Sequence, residues 1–158
     1  MAEMEYGIHH ATTLSARTDL AITLHHAGCH EEGTAMNKEL WALTEKILGP
    51  KHPITLKNKR NYQVTLDQHT EEGLVELDEM ARDTEGVLGP AHRDTIWAKT
   101  NKAQALRIMD RDEATEVEAE VCAALEQMDP DSMETINAQR TYAHNLMVDG
   151  RLEEARKM

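Results

Sequence analysis

The chain has no phenylalanine, two tryptophans and three tyrosines among 158 residues. A core without aromatic bulk must be filled by Leu, Ala, Met, Val and Ile. Scarce strand-favouring aromatics beside common Ala, Leu, Glu and Met point to helix. No apolar run approaches the ~18 residues of a membrane-spanning helix. The opening stretch, MAEMEYGIH, has neither the basic nor the apolar part of a secretory leader. Cys29 and Cys122 are the two cysteines, too far apart to suggest a disulfide framework, so a soluble protein of the reducing cytoplasm is expected. Positive charge is short as well: 17 Lys and Arg face 29 Asp and Glu, a net charge of −12. That balance argues against nucleic acid or an anionic membrane as partner. Nucleophile elbows, phosphate-binding glycine loops and paired-cysteine metal motifs are missing too, so neither enzymatic activity nor a cofactor is expected.

What the chain does have is a period. LGPKHPITL at 48–56 returns as LGPAHRDTI at 88–96 and as MDPDSMETI at 128–136, with a fainter copy, HATTL, at 10–14. The marker threonines Thr13, Thr55, Thr95 and Thr135 lie 42, 40 and 40 residues apart. A fixed spacing of this length indicates stacked units, which work through extended surfaces more often than through one chemical pocket.

Each unit reads as two antiparallel helices. First helices are expected at 12–27, 53–68, 93–109 and 133–148, and second helices at 30–47, 70–87, 111–127 and from 151 onward. Met36, Leu40, Leu43 and Ile47 carry helical spacing, as do Val117, Val121, Ala124 and Met128. Gly49 and Gly89 fall where a left-handed residue after a helix is favoured, Pro50 and Pro90 block continuation, and Pro53 suits the first turn of the next helix. Gly28 and Gly150 supply turns inside two units, Asp110 takes that place in the third, and the second unit is two residues shorter there. A small residue recurs in the first turn of every second helix (Gly33, Gly73, Ala114, Ala155), as close helix packing demands.

The segments HPITL, DLAITL, AGCHEEG, TYAHNL and DGRLEEA resemble the tetratricopeptide repeat (TPR) of the longer, 40–42-residue kinesin-light-chain type, also found in NTPase-linked sensor proteins. The resemblance runs from about residue 10 to the C-terminus. It implies an all-α fold, a right-handed α-solenoid of about 3.5 repeats. A tail at 1–9 would precede one domain at 10–158, with repeats at about 10–51, 52–91, 92–131 and 132–158. Lys102 departs from the pattern where Leu20, Tyr62 and Tyr142 stand in the other units, and His30 from the usual tyrosine.

The resemblance also implies that first helices line a concave groove and that the protein is a peptide-binding scaffold. Over the expected first helices nine cations meet four acids, while the second helices sum to −12. A basic groove and an acidic peptide partner are therefore expected. Carried over from the family, the groove positions are Ser15, Thr18, Ile22 and His25, then Lys57, Arg60, Asn61 and Val64, then Trp97, Thr100, Asn101, Gln104 and Arg107, then Asn137, Arg140 and His144. Asn61 and Asn101 match the slot that reaches a ligand backbone in peptide-bound members. Arg60, Arg107 and Arg140 would fork onto carboxylates, and Trp97 would anchor the ligand or else pack between helices.

The densest run of potential metal ligands is HHAGCHEE, holding His25, His26, Cys29 and His30. Gly28 interrupts helical register within it, so turn residues rather than a metal site are expected. His9 and His10 add nothing specific. The last second helix is about half the length of its siblings, which should leave Leu146, Leu152 and Ala155 incompletely covered. A piece of a longer protein is expected on that ground. The alternative to a peptide-binding scaffold is a self-associating structural or sensor segment of a larger multidomain protein, with no peptide ligand of its own, which would form homo-oligomers through this end.

Overall fold

The computed structural model describes residues 11–157, so the expected tail at 1–9 and both His9 and His10 lie outside it. All regular structure among the described residues is helical: α1 (Ala11–His26), α2 (His30–Leu48), α3 (Pro53–Gln63), α4 (Glu71–Leu88), α5 (Arg93–Ile108), α6 (Ala114–Met128), α7 (Met133–Val148) and α8 (Leu152–Ala155). The chain forms two compact units, one up to Leu66 and one from Asp67.

In the first unit α2 packs against both α1 and α3. Leu14, Ala21 and Leu40 are buried together, with Met36 and Leu43 against them. Ile47, the fourth residue of that expected stripe, is 41% exposed. A buried polar chain runs beside this core. Thr18 Oγ1 donates to Asn58 Oδ1 at 3.0 Å, and Asn58 Nδ2 donates to Thr44 Oγ1 at 3.4 Å. Trp41 stacks on Tyr62 with ring centroids 5.8 Å apart, and Lys59 and Lys38 place their ammonium groups over the two rings.

In the second unit α5 lies against α4 and α6, and α7 against α6 and α8. Ile96, Val121, Ala124 and Leu125 form one buried cluster, closed by Ala138 from α7. Ala103, Leu106, Ala114 and Val117 form another, with Leu74 of α4 against it. Met128, last of the expected α6 stripe, is 45% exposed.

The repeat marker has a local cause. His52 and His92 cap their helices by accepting hydrogen bonds at Nδ1 from the Ile54 and Asp94 N–H groups, and Ser132 Oγ accepts from Thr135 N–H. The marker threonines are essentially fully buried. Thr95 and Thr135 each donate their hydroxyl at 2.7 Å to the carbonyl six residues earlier, Gly89 and Asp129. At 88–96 and 128–136 the repeated segment therefore stops one helix, caps the next and ties the two ends together, whereas the buried Thr13 and Thr55 hydroxyls have no hydrogen-bond partner among the described residues.

Several expectations need correction. Gly49 and Gly89 have φ near +88° with ψ near 164°, a mirror-extended backbone rather than a left-handed helical one. It remains a conformation that glycine alone adopts easily. The first helix expected at 53–68 ends at Gln63, so Val64 is a capping residue beyond it. The third second helix begins at Ala114, not 111, and α8 is a single turn. Leu146 is fully buried despite the short α8, whereas Leu152 is 53% exposed. Asp110 does take the glycine position of its turn, with φ +54°.

Candidate functional site

Within the second unit, most of the expected groove residues at corresponding positions of α5 and α7 are exposed. Trp97, Thr100 and Gln104 are exposed on α5, and Asn137, Arg140 and His144, each 40 residues later, are exposed on α7. Trp97 is 43% exposed, so its indole is not sealed into a core. Asn101 differs from its neighbours: it is buried, and its amide nitrogen has no hydrogen-bond partner among the described residues. Ion pairs join both ends of the two helices. Arg93 meets Glu134 at 3.8 Å near their starts, and Arg107 meets Asp149 at 2.9 Å near their ends.

The cations counted on the first helices do not form one free set. Lys99 is held by Glu85 of α4 at 2.9 Å and Glu120 of α6 at 2.8 Å. Burial pulls its ammonium down, but the hydrogen bonds to Glu120 and Glu85 outweigh that and leave the pKa raised. Lys102 reaches Asp78 of α4 at 2.6 Å. Arg107 is shared between Asp149 and Glu118, which is 14% exposed. Arg140, by contrast, makes no ion pair among the described residues.

In the first unit Lys57 is exposed on α3, Arg60 and Asn61 are half-buried, and Val64 is 54% exposed just past the helix end. On α1 Ser15 is exposed and Ile22 and His25 are half-buried. Thr18 is consumed by its bond to Asn58. The sequence reading missed Asp149 and Glu118, the acids that occupy Arg107. A carboxylate beside the turn glycine Gly150, one repeat beyond Arg107, was the available signal. It also missed the exposed apolar side chains of α7, where Ile136 is 39% and Met147 52% exposed.

This arrangement of helix pairs is the fold of a TPR-type repeat array. Solved structures carry the likeness, two of them as follows. One is a crystal structure of nearly identical TPR-like repeats from a Podosopora anserina protein named for kinesin light chain, with TM-score 0.68, 18% identity, 93% of this chain covered and 72% of that chain. The other, a single-substitution variant of that protein, gives TM-score 0.67, 19% identity and coverage of 90% and 69%. No family model and no curated protein matches the sequence. Folds of this type serve generally as protein-interaction scaffolds. No helix among the described residues is long and apolar enough to cross a membrane.

Proposed function

We propose that the chain is an interaction scaffold that holds an acidic peptide segment against the exposed side of its first helices. In the second unit this face is Trp97, Gln104, Asn137, Arg140 and His144, with the Asn101 amide beneath. Arg107 supports the face from its edge through Asp149 rather than meeting the ligand. The first unit offers a set of its own, Lys57, Arg60 and Asn61 on α3 with Val64 just past its end. The observation that carries the reading is the exposure of Trp97 and Arg140 at equivalent helix faces while Lys99, Lys102 and Arg107 are neutralised internally. An exposed indole and an unpaired guanidinium are what a hot spot for a carboxylate-bearing peptide uses.

A peptide array followed by affinity measurement tests it. Arg140→Glu should weaken a selected acidic peptide by ~10–100-fold, the worth of one charge-assisted hydrogen bond, and Trp97→Ala should weaken it comparably. No preference for acidic peptides, or indifference to both changes, would remove the proposal.

A second reading has its own observation. Val148 is 70% and Leu152 53% exposed at the end of the array, next to Met147. Association through this end would cover them, within a larger assembly or between copies. Sedimentation of Leu152→Asp against the unmodified chain tests that reading, and an unchanged monomer counts against it. Leu146 is unsuitable for the purpose because it is buried in the core.

A further inference from the structure

The turn between α1 and α2 brings together two histidines that the sequence spacing does not single out. His26 and His30, four residues apart, are not the pair. His25 Nδ1 stands 3.3 Å from His30 Nδ1, with ring centroids 4.6 Å apart and planes at 70°. We propose that His25 and His30 form a two-histidine site for a divalent late transition metal such as Zn²⁺ or Ni²⁺, clipping the end of α1 to the start of α2.

The bite is the main argument. Two imidazole nitrogens 3.3 Å apart lie within the ~4 Å that one ion bound at ~2.0–2.1 Å from each can span, and a rotation of the rings, whose centroids stand 4.6 Å apart, brings both lone pairs onto it. Neutral imidazole is a ligand well suited to these ions. The backbone that sets this bite is itself tied down. Gly28 takes φ +88°, its N–H donates to His25 O at 3.2 Å, and Cys29 N–H donates to Leu24 O at 2.9 Å. A β-carbon at Gly33 would stand 3.0 Å from His25 N and 3.3 Å from His25 Cβ, so the first turn of α2 sits directly on His25. The two ligands are thus held at the ends of two contacting helices rather than on a free loop.

In the hydrogen-bonded pair one ring carries its proton on Nδ1. Ligation needs both Nδ1 lone pairs, so that ring moves its proton to Nε2 through solvent, with no net change in protonation. Among the described residues no third His, Cys, Asp or Glu completes a protein-only ligand set. Water fills the remaining positions, which are accessible because His30 is exposed and His25 only half-buried.

Calorimetric titration of the chain with zinc chloride and nickel chloride, with thermal melting in parallel, tests the site. One saturable equivalent and a raised Tm are expected. Both should be lost in His25→Ala and in His30→Ala, and kept in His26→Ala and in the double variant His9→Ala with His10→Ala. Circular dichroism checks that each variant is folded, and His30→Ala, altered at an exposed position, carries the test if His25→Ala is not. Absence of saturable uptake, or uptake that survives His30→Ala, overturns the proposal.

Discussion

Arg107 on α5 reaches one repeat forward to Asp149, in the turn after α7. Its Nη1 donates to both carboxylate oxygens at 2.9 Å, while Nη2 donates to Glu118 Oε2 at 2.9 Å and Thr115 Oγ1 at 3.3 Å. Thr115 in turn donates its hydroxyl to Asp149 Oδ2 at 2.8 Å, and Asn145 Nδ2 donates to Glu118 Oε1 at 2.8 Å. One guanidinium therefore fixes α5, α6 and the end of α7 together.

Removing Asp149 should be felt as a loss of stability in the second unit. The carboxylate is 28% exposed, so solvent screening limits the pair, and Asp149→Ala should cost about 1 kcal/mol, lowering Tm by ~2–4 °C. Hydrogen bonds from Arg107 and Thr115 hold the Asp149 carboxyl below the ordinary aspartate value of 3.8. For a depressed carboxylate the stabilisation is present above the unfolded value and is lost as pH falls through the lower folded one. The gap between Asp149→Ala and the unmodified chain should then hold from neutral pH down to about 4 and close below it. A gap that closed between pH 5 and 7 would point to another group.

Two glycines of α4 should respond oppositely to alanine. A β-carbon at Gly73 would fall 1.9 Å from the Asp67 carbonyl oxygen, so backbone must move, and Gly73→Ala should destabilise by ~1–3 kcal/mol. Gly86 has open space around it in the same helix, and Gly86→Ala should stabilise by ~0.5–1 kcal/mol by restricting the unfolded chain. Urea melts of the two variants read both signs in one experiment.

The repeat marker makes a third prediction. Thr95→Val and Thr135→Val keep the shape but remove hydroxyl bonds to the Gly89 and Asp129 carbonyls, and each should cost ~1–2 kcal/mol. Ser132→Ala removes the cap of α7 and should cost ~0.5–2 kcal/mol. Thr135→Ser, which keeps the hydroxyl, should recover most of its share in chemical denaturation.

What could be read from the sequence follows from how locally each feature is encoded. Helix starts and stops were legible because Gly49, Pro53, Gly89 and the Thr markers act within a few residues of where they stand. The early end of α3 was not. Val64 and Thr65 are both β-branched, and Thr65 turns its hydroxyl back onto the Tyr62 carbonyl at 2.7 Å. The shorter second turn was the only hint. Charge per helix was countable, but direction was not: Lys99 and Lys102 sit on a first helix and point at acids of α4 and α6. A sum over a helix cannot separate those from Arg140. The His25–His30 pairing likewise depends on the path of the Gly28 turn, which spacing does not specify.

The two cysteines should separate cleanly in a thiol-labelling experiment. Cys122 is buried on α6, and desolvation, reinforced by Glu126 and Glu118, pushes its thiol up to about 11. The thiolate is the reactive species, so at pH 8 Cys122 has roughly a thousandth of its molecules ionised and is shielded as well. Cys29 is exposed in the α1–α2 turn. One thiol per chain should therefore react quickly with a disulfide reagent, and Cys29→Ser should abolish that phase. The second thiol should appear only when denaturant opens the second unit, tracking the loss of helical signal. Two equally fast thiols in the native chain would mean that Cys122, 4% exposed on α6, is not buried in solution.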